Sequence, residues 1–449
     1  MTMNETKTIE VLGAGESGVG AAILAADRGY EVYVSDSGAI AEKYRRMLEA
    51  EGIHYQEYGH AIERILGADI VVKSPGIPDT APVVEAVRRA GIPVLSEIEF
   101  AGRFSRSFMI CITGSNGKTT TTMLTHHILR AAGIDASLAG NIGKSLALQV
   151  ARDPHDVYVI ELSSFQLDNM YDFRADIAVL LNITPDHLDR YNFEMQNYVD
   201  SKMRILQNQG PADTFIYWRG DEYIPAEMAK RAPVCRCLGF SDAPEADSFG
   251  YAADGIFTLI EPRAFSLAQD HLSLPGRHNL RNCLAAAMAA LAAGVPDEVV
   301  RAGLEDFPGV EHRLERVGVV AGVTYVNDSK ATNVDACYCA LDSMTTPTVL
   351  IVGGLDKGND YTTLYDIVRQ KCKALVYLGA DNAKLHESFD HLGLPVADTH
   401  SMQECIEACR LFAAAGDTVL LSPCCASFDL FRNMEDRGEQ FKALVRAMA

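Results

Sequence analysis

Met109-Ile110-Cys111-Ile112-Thr113-Gly114-Ser115-Asn116-Gly117-Lys118-Thr119-Thr120 is an apolar run that ends in a glycine-flanked loop, a lysine and a pair of threonines. The pattern predicts a buried strand, a loop that leaves room for phosphate against bare backbone N–H groups, and a helix opening at Thr119. The free donors and the dipole of that helix end favour an anion. Lys118 adds a point charge, and the Thr119 hydroxyl is placed to reach a Mg²⁺ ion, as the residue after the lysine does in phosphate loops. One departure stands out. The usual spacing is G-x-x-x-x-G-K-[ST], yet Ile112 lies five residues before Gly117 and the nearest upstream glycine is Gly114. An ordinary glycine-rich strand-to-helix turn is the alternative.

Upstream, Thr8 to Leu12 forms a short apolar strand leading into Gly13-Ala14-Gly15-Glu16-Ser17-Gly18, a helical stretch to about Arg28, and then Glu31 to Val34 and Asp36. This is G-x-G-x-x-G with an acid about 20 residues on, the dinucleotide fingerprint of a βαβ unit. Taken alone it suggests NAD. What it certifies is a tight turn that lets a pyrophosphate approach a helix N-terminus, and a UDP group presents the same pyrophosphate. Asp36 would then meet a ribose or a base. The strand Ala68 to Lys73 ends in Ser74-Pro75-Gly76-Ile77-Pro78, a rigid turn at the end where open α/β sheets bind ligands.

The chain has 449 residues, more than one core usually serves, so two or three domains are expected. Lys+Arg number 40 against Asp+Glu 60, a formal charge of −20, which argues against a general binder of nucleic acid or anionic membrane. Any phosphate must be held by a local site. Neither a signal-peptide pattern nor a run of about 18 apolar residues is visible, so a cytoplasmic protein without membrane insertion is expected. The 11 cysteines are scattered, without C-x-x-C ladders, and read as reduced thiols in the core.

Downstream, Val157 to Ile160 delivers Glu161 at a strand end, where an acid of the Walker-B kind would hold Mg²⁺. The strand Ile177 to Ile183 ends in Thr184-Pro185-Asp186-His187-Leu188-Asp189, and neutral His187 can ligate a metal. Lys202, in a helical segment from Tyr198 to Leu206, reads by residue type alone as a surface lysine. Asp213 to His271 reads as short strands and loops. In Gly276-Arg277-His278-Asn279-Leu280-Arg281-Asn282, Asn279 and Asn282 share a helix face and could read an adenine edge; asparagine capping is the alternative. Strands at Val323 to Val326, Val349 to Val352, Ala374 to Leu378 and Thr418 to Leu421 imply a third α/β layer structure. Lysines and hydroxyls at successive strand ends there suggest an anion pocket.

Taken in order, the phosphate loop, Glu161-Leu162-Ser163-Ser164-Phe165, Asp186-His187-Leu188-Asp189, Gly276 to Asn279, and Asn327-Asp328-Ser329-Lys330-Ala331-Thr332-Asn333 resemble the Mur ligases over nearly the whole chain. The shortened phosphate loop is what that family carries. The last of these segments, with Ser422-Pro423-Cys424-Cys425-Ala426-Ser427-Phe428-Asp429, is similar to the branch that adds D-glutamate to UDP-N-acetylmuramoyl-L-alanine. The resemblance implies an α/β protein of three domains: a Rossmann-like UDP-substrate domain over 1–97, a central P-loop-type ATPase domain over 98–309, and a Rossmann-like amino-acid domain over 310–449. It also replaces NAD with UDP. The expected activity is an ATP- and Mg²⁺-dependent amide-forming ligase of peptidoglycan precursor synthesis, acting as a monomer through an acyl phosphate.

The resemblance implies residue roles as well. Gly114, Ser115, Asn116, Gly117, Lys118, Thr119, Thr120, Asn279, Asn282, Arg313 and Asp328 would bind ATP. Gly15, Ser17, Asp36, Ser37, Gly76 and Asn141 would meet the UDP substrate, and Lys330, Thr332, Lys357 and Ser427 the amino acid. Thr119 and Glu161 would serve a first Mg²⁺ and His187 a second, with a carbamylated Lys202 as a further metal ligand, and Lys118, Glu161, His187 and Lys202 would form the catalytic set. A folylpolyglutamate-synthase-like ligase is one rival, opposed by the N-terminal glycine fingerprint. A catalytically silent nucleotide-binding protein on the same fold is another.

Overall fold

The computed structural model describes residues 7–260, 263–274, 276–356 and 358–448. Its strands fall into three sheets. The first comprises β1 (Thr8–Leu12), β2 (Glu31–Ser35), β3 (His54–Gln56), β4 (Ile70–Lys73) and β5 (Val94–Leu95) in the order β3-β2-β1-β4-β5. Every pairing is parallel, so the strands are covered on both faces and read as Val/Ile/Leu runs; Val11, Leu12, Val34 and Val72 are all buried. The order reverses between β1 and β4, which opens a crevice at their carboxyl ends. Helix Glu16–Asp27 begins beside that crevice, and a Cβ on Gly18 would run into the Gly13 carbonyl, so only glycine lets the helix start so close to the strand.

The second sheet contains β6 (Phe108–Thr113), β7 (Ala136–Gly140), β8 (Val157–Glu161), β9 (Ile177–Leu180), β10 (Thr214–Trp218), β11 (Arg236–Ser241), β12 (Gly250–Ala252), β13 (Gly255–Ile260) and β14 (Arg263–Ala268). Their order is β14-β13-β12-β11-β10-β9-β6-β8-β7. The quoted stretch is β6 followed by helix Lys118–Ala131, which opens at Lys118, one residue before the expected Thr119, because Gly117 takes a left-handed cap at φ +85°. With β8 on one side and β9 on the other, β6 sits where the chain changes direction across the sheet. Residues 213–271 prove more regular than their sequence suggests: β10 and β11 extend the parallel sheet and β12–β14 close it as an antiparallel meander.

The third sheet holds β15 (Glu315–Val320), β16 (Val323–Asn327), β17 (Thr348–Gly353), β18 (Cys372–Leu378), β19 (Val396–Thr399) and β20 (Thr418–Cys424), ordered β15-β16-β20-β17-β18-β19. The two edge strands, β15 and β19, escape the sequence reading because both are partly exposed and carry charged residues. The first two sheets belong to one compact unit and the third to another, the chain crossing after Leu272, Leu280 and Asp306. Among the described residues no helix is long and apolar enough to cross a membrane.

Candidate active site

The carboxyl end of β6 carries a loop shaped by two glycines, Gly114 at φ +154° and Gly117 at φ +85°. A Cβ on Gly117 would meet the carboxamide of Asn282, so glycine is needed for space as well as conformation. The Lys118 ammonium donates to the Gly114 and Ser115 carbonyls at 2.7 and 2.8 Å. Ser115 is buried; its hydroxyl donates to the Thr184 carbonyl at 2.8 Å and lies 3.0 Å from the Tyr198 hydroxyl. The Asn116 N–H donates to the Asn182 side chain at 2.8 Å, and Asn182 donates back to the Asn116 carbonyl at 3.1 Å. The loop is thus braced from the end of β9. Thr119 and Thr120 lie buried on the first turn of the following helix.

Glu161 ends β8 opposite Ile112 and is buried. Its Oε1 accepts from the Asn141 amide at 2.7 Å, so a predicted metal residue and a predicted substrate residue meet. Lys202 is not a surface lysine. It is 2% exposed, and its Nζ donates to Thr113 Oγ1 at 3.2 Å and to the Gly114 carbonyl at 3.0 Å. Helix Met195–Met203 turns that face inward, beside buried Tyr198, Val199 and Met203, which a residue-by-residue reading of polarity does not register. Burial, with the Lys118 charge beside it, holds the Lys202 amine well below the ordinary lysine range, against the opposing pull of Asp186, Glu161 and Asp168. His187 sits at φ +52° on the loop after β9, its ring 5.2 Å edge-to-face from Phe165, with Nε2 3.6 Å from Asp186. Lys118 and Lys202 therefore share one carbonyl, while Glu161 and His187 flank them on the neighbouring strand ends.

In the first sheet, Asp36 braces the glycine loop itself, Oδ2 accepting from the Ala14 N–H and Oδ1 from the Gly38 N–H, both at 2.8 Å. Gly15 and Gly76 are exposed, and a Cβ at either would meet nothing within 4 Å, so both leave space above the crevice. Ser17 is half-buried and Ser37 exposed beside them.

In the other unit, the loops after β16, β17 and β20 leave three adjacent strands at the same edge. Asp328 accepts from the Ser422 hydroxyl at 2.9 Å and from the Leu314 N–H at 3.2 Å, next to Arg313. Its burial raises the carboxyl to about 7, against the lowering effect of Arg313 and Ser422. Lys330 is half-buried, Thr332 exposed and Ser427 buried on these loops; Lys357 lies outside the described residues. Asn279 is buried one turn before Asn282 on helix Arg277–Ala292.

Three family descriptions match successive parts of the chain: "MurD N-terminal domain" over residues 8–83, "Mur ligase middle domain" over 112–290 and "Mur ligase, glutamate ligase domain" over 312–425. A curated relative from Bacteroides fragilis, UDP-N-acetylmuramoylalanine--D-glutamate ligase, is 58% identical over 443 residues, covering 98% of this chain and 100% of the relative. The chain belongs to the Mur ligase family. A Porphyromonas gingivalis protein of the same name is 53% identical over 97% of this chain and 98% of its own length. Among solved structures, the Mur ligase MurC of Thermotoga maritima aligns with a TM-score of 0.62 at 17% identity, covering 99% of this chain and all of that one. MurF of the same organism, in complex with ADP, aligns at 0.59 and 14% identity over 93% and 96% of the two chains. These last two share the fold.

Against that Mur ligase background, several residues of the site carry no motif that sequence reading would find. Asn182 and Tyr198 hold the phosphate loop, and Arg437, 1% exposed, ties the third sheet's loops together. It donates to the Ser329 hydroxyl at 3.0 Å, the Ser329 carbonyl at 2.8 Å and the Cys425 carbonyl at 3.2 Å. The only hint for Arg437 is its place on the apolar face of helix Met434–Ala447, where a cation needs partners.

Proposed function

We infer that this Mur ligase uses ATP to join D-glutamate to UDP-N-acetylmuramoyl-L-alanine in peptidoglycan precursor synthesis. The observation that carries the reading is the full-length identity of 58% to a ligase so named, on a chain whose half-buried Lys118 and buried Lys202 and Glu161 meet at one strand edge. We assign the UDP substrate to a domain over 1–97, ATP to one over 98–309, and the amino acid to one over 310–449.

The reaction sets two problems. The carboxylate of the UDP substrate must attack the γ-phosphoryl group of ATP, and two anions must approach; then the amine of D-glutamate must displace phosphate from the acyl phosphate. Lys118, donating from the loop, answers the first by offsetting charge on the transferring phosphoryl oxygens. The Gly114–Gly117 backbone and the start of helix Lys118–Ala131 hold the phosphates, and Asn282 stands against the loop for the rest of the nucleotide. Thr119 and Glu161 offer the hard oxygen donors that Mg²⁺ prefers, so the donor set fits this ion, and His187 at the rim would hold a second Mg²⁺. Bound there, Mg²⁺ would supply charge to the phosphoryl oxygens. Lys202, whose amine burial holds well below the ordinary lysine range, can in its free-amine form add to CO₂, losing a proton to solvent, and become a carbamate, a carboxylate-like group facing the same place. Asn141 links Glu161 to the sugar-nucleotide end. Lys330, Thr332, Lys357 and Ser427 receive the amino acid.

The test is amide formation and phosphate release with UDP-N-acetylmuramoyl-L-alanine, ATP and Mg²⁺, varying the amino acid. D-glutamate should be preferred over D-alanine by on the order of 10⁴, because a site built for two carboxylates leaves buried polar groups unpaired when one is missing. Preference for diaminopimelate or L-alanine would overturn the choice of acceptor. The purified enzyme is expected to be monomeric and cytoplasmic, which sedimentation and fractionation check.

A further inference from the structure

Two cations stand behind the turn Ser74-Pro75-Gly76-Ile77-Pro78, and the catalytic reading uses neither. Lys73 is the last residue of β4, in register with Leu12 of β1, and is 2% exposed. Its Nζ donates to the Ile77 carbonyl at 2.7 Å and lies 3.3 Å from Asp79. Arg190 comes from the other side, on the loop that follows β9 and carries His187. Its guanidinium covers the Phe165 ring at 4.3 Å and lies 3.4 Å from the Pro75 carbonyl and 3.5 Å from that of Ile77. The two cations thus converge on one carbonyl oxygen.

Peptide planarity turns this into an orientation. With the Pro75 carbonyl directed at Arg190, the N–H of Gly76 in the same trans peptide must point the opposite way. The Ile77–Pro78 peptide has no N–H, so its oxygen is the one polar group that this peptide offers to both cations. In front, the turn closes on the glycine loop: a Cβ on Gly13 would lie 2.6 Å from the Ser74 hydroxyl, which donates to the Gly13 carbonyl at 3.4 Å. Charge points the same way. Lys73 and Arg88, the latter at 3.1 Å, share the single carboxylate of Asp79, and Arg190 adds a third positive charge. Burial raises the nearby Asp168 carboxyl and lowers the Lys73 amine from their ordinary ranges, the latter against the opposing pull of Asp79. A local positive excess persists in a chain of formal charge −20.

We propose that Lys73 and Arg190 are positioning residues for the diphosphate of the nucleotide-sugar substrate: they pin the 74–78 turn from behind, fix the direction of the Gly76 N–H, and supply positive potential to the crevice between that turn and the glycine loop. This rests on the functional reading above.

The test uses the full-length enzyme, with calorimetry for UDP-N-acetylmuramoyl-L-alanine and steady-state kinetics for both it and ATP. Lys73→Met and Arg190→Gln should each raise Kd and KM for the UDP substrate by about tenfold or more, the loss of one charge-assisted contact, with kcat and the KM for ATP held within about threefold. Rising KCl should weaken substrate binding more steeply in the parent than in either variant. Unchanged affinity for the UDP substrate in the variants would overturn the inference, as would equal losses in the ATP parameters, which mark a merely structural role. If Lys73→Met does not fold, Arg190→Gln on its half-exposed side chain decides by the same criteria. A parent enzyme that neither binds nor turns over the UDP substrate would remove the functional reading, and this inference with it.

Discussion

Lys202→Ala asks the sharpest question of the central site. Lys202 Nζ donates to two neutral oxygens, Thr113 Oγ1 at 3.2 Å and the Gly114 carbonyl at 3.0 Å, and no carboxylate bonds it among the described residues, with Lys118 on the same carbonyl. A permanent cation so placed would be poorly compensated, and burial accordingly holds the amine well below the usual lysine range. A neutral amine is the form that adds CO₂, and the product reverses the sign of the group beside Glu161 and Thr119. Removing it should cost about 3–4 kcal/mol of transition-state stabilisation, or roughly 10²–10³ in kcat, the scale of deleting one preorganised electrostatic group. Acetate or formate should restore part of the rate in the variant by refilling the space, and leave the parent unaffected. Degassed, CO₂-free buffer should lower the parent's activity, and ¹³C-bicarbonate should give a carbamate resonance that Lys202→Ala lacks. Near-parental turnover in a folded Lys202→Ala enzyme, indifferent to added carboxylate, refutes the reasoning.

Lys118→Ala, which removes the ammonium that donates to the Gly114 and Ser115 carbonyls, should lower kcat by about a thousandfold, with circular dichroism checking that the variant folds; near-parental turnover in a folded variant counts against the role. Glu97 is buried, accepts from the Ser145 hydroxyl at 2.7 Å and the Ala147 N–H at 2.6 Å, and burial raises its carboxyl from 4.5 to about 7. Folding therefore binds its proton more tightly, so its contribution is fully present below about pH 4.5 and lost as pH rises through about 7, worth roughly 3 kcal/mol. Glu97→Gln should flatten the decline of Tm over that window; an unchanged slope counts against it. Arg437→Met leaves the Ser329 and Cys425 carbonyls without their donor and should destabilise the protein by about 2–4 kcal/mol in urea unfolding, with a rise in KM for D-glutamate; equal stability would mean that the loops hold without it.

The parallel strands and their loops were legible because local rules write them: an apolar run of four to six residues, then glycine, then a helix. The phosphate loop and the Gly13–Gly18 loop are of this kind. What could not be read is set by neighbours distant in the chain. Lys202 looks like any helical lysine until helix Met195–Met203 turns it against Gly114, some 88 residues earlier. Asn182, Tyr198 and Arg437 hold loops through contacts of the same non-local sort. The edge strands β15 and β19 were lost because a half-exposed strand carries polar residues that blur its alternation. Residue roles came from resemblance, not from residue type: a strand-end acid such as Glu161 has the same spelling whether it meets water or a metal.

The charge distribution links these observations. A chain of formal charge −20 repels nucleotides at long range, so each anion must be drawn by cations held close and partly desolvated. In the readings proposed above, Lys118 does this at the end of β6, and Lys73 and Arg190 do it behind the turn that follows β4, in each case by bonding to backbone carbonyls rather than to carboxylates alone. A carbonyl fixes the position of a cation without cancelling its charge, whereas an ion pair would do both. Cations tethered in this way keep their field for a ligand. In the proposed function Lys118 stays beside Lys202 as the cation of the loop, so a carbamylated Lys202 would add a ligand for Mg²⁺ while the loop keeps its positive charge for the phosphates.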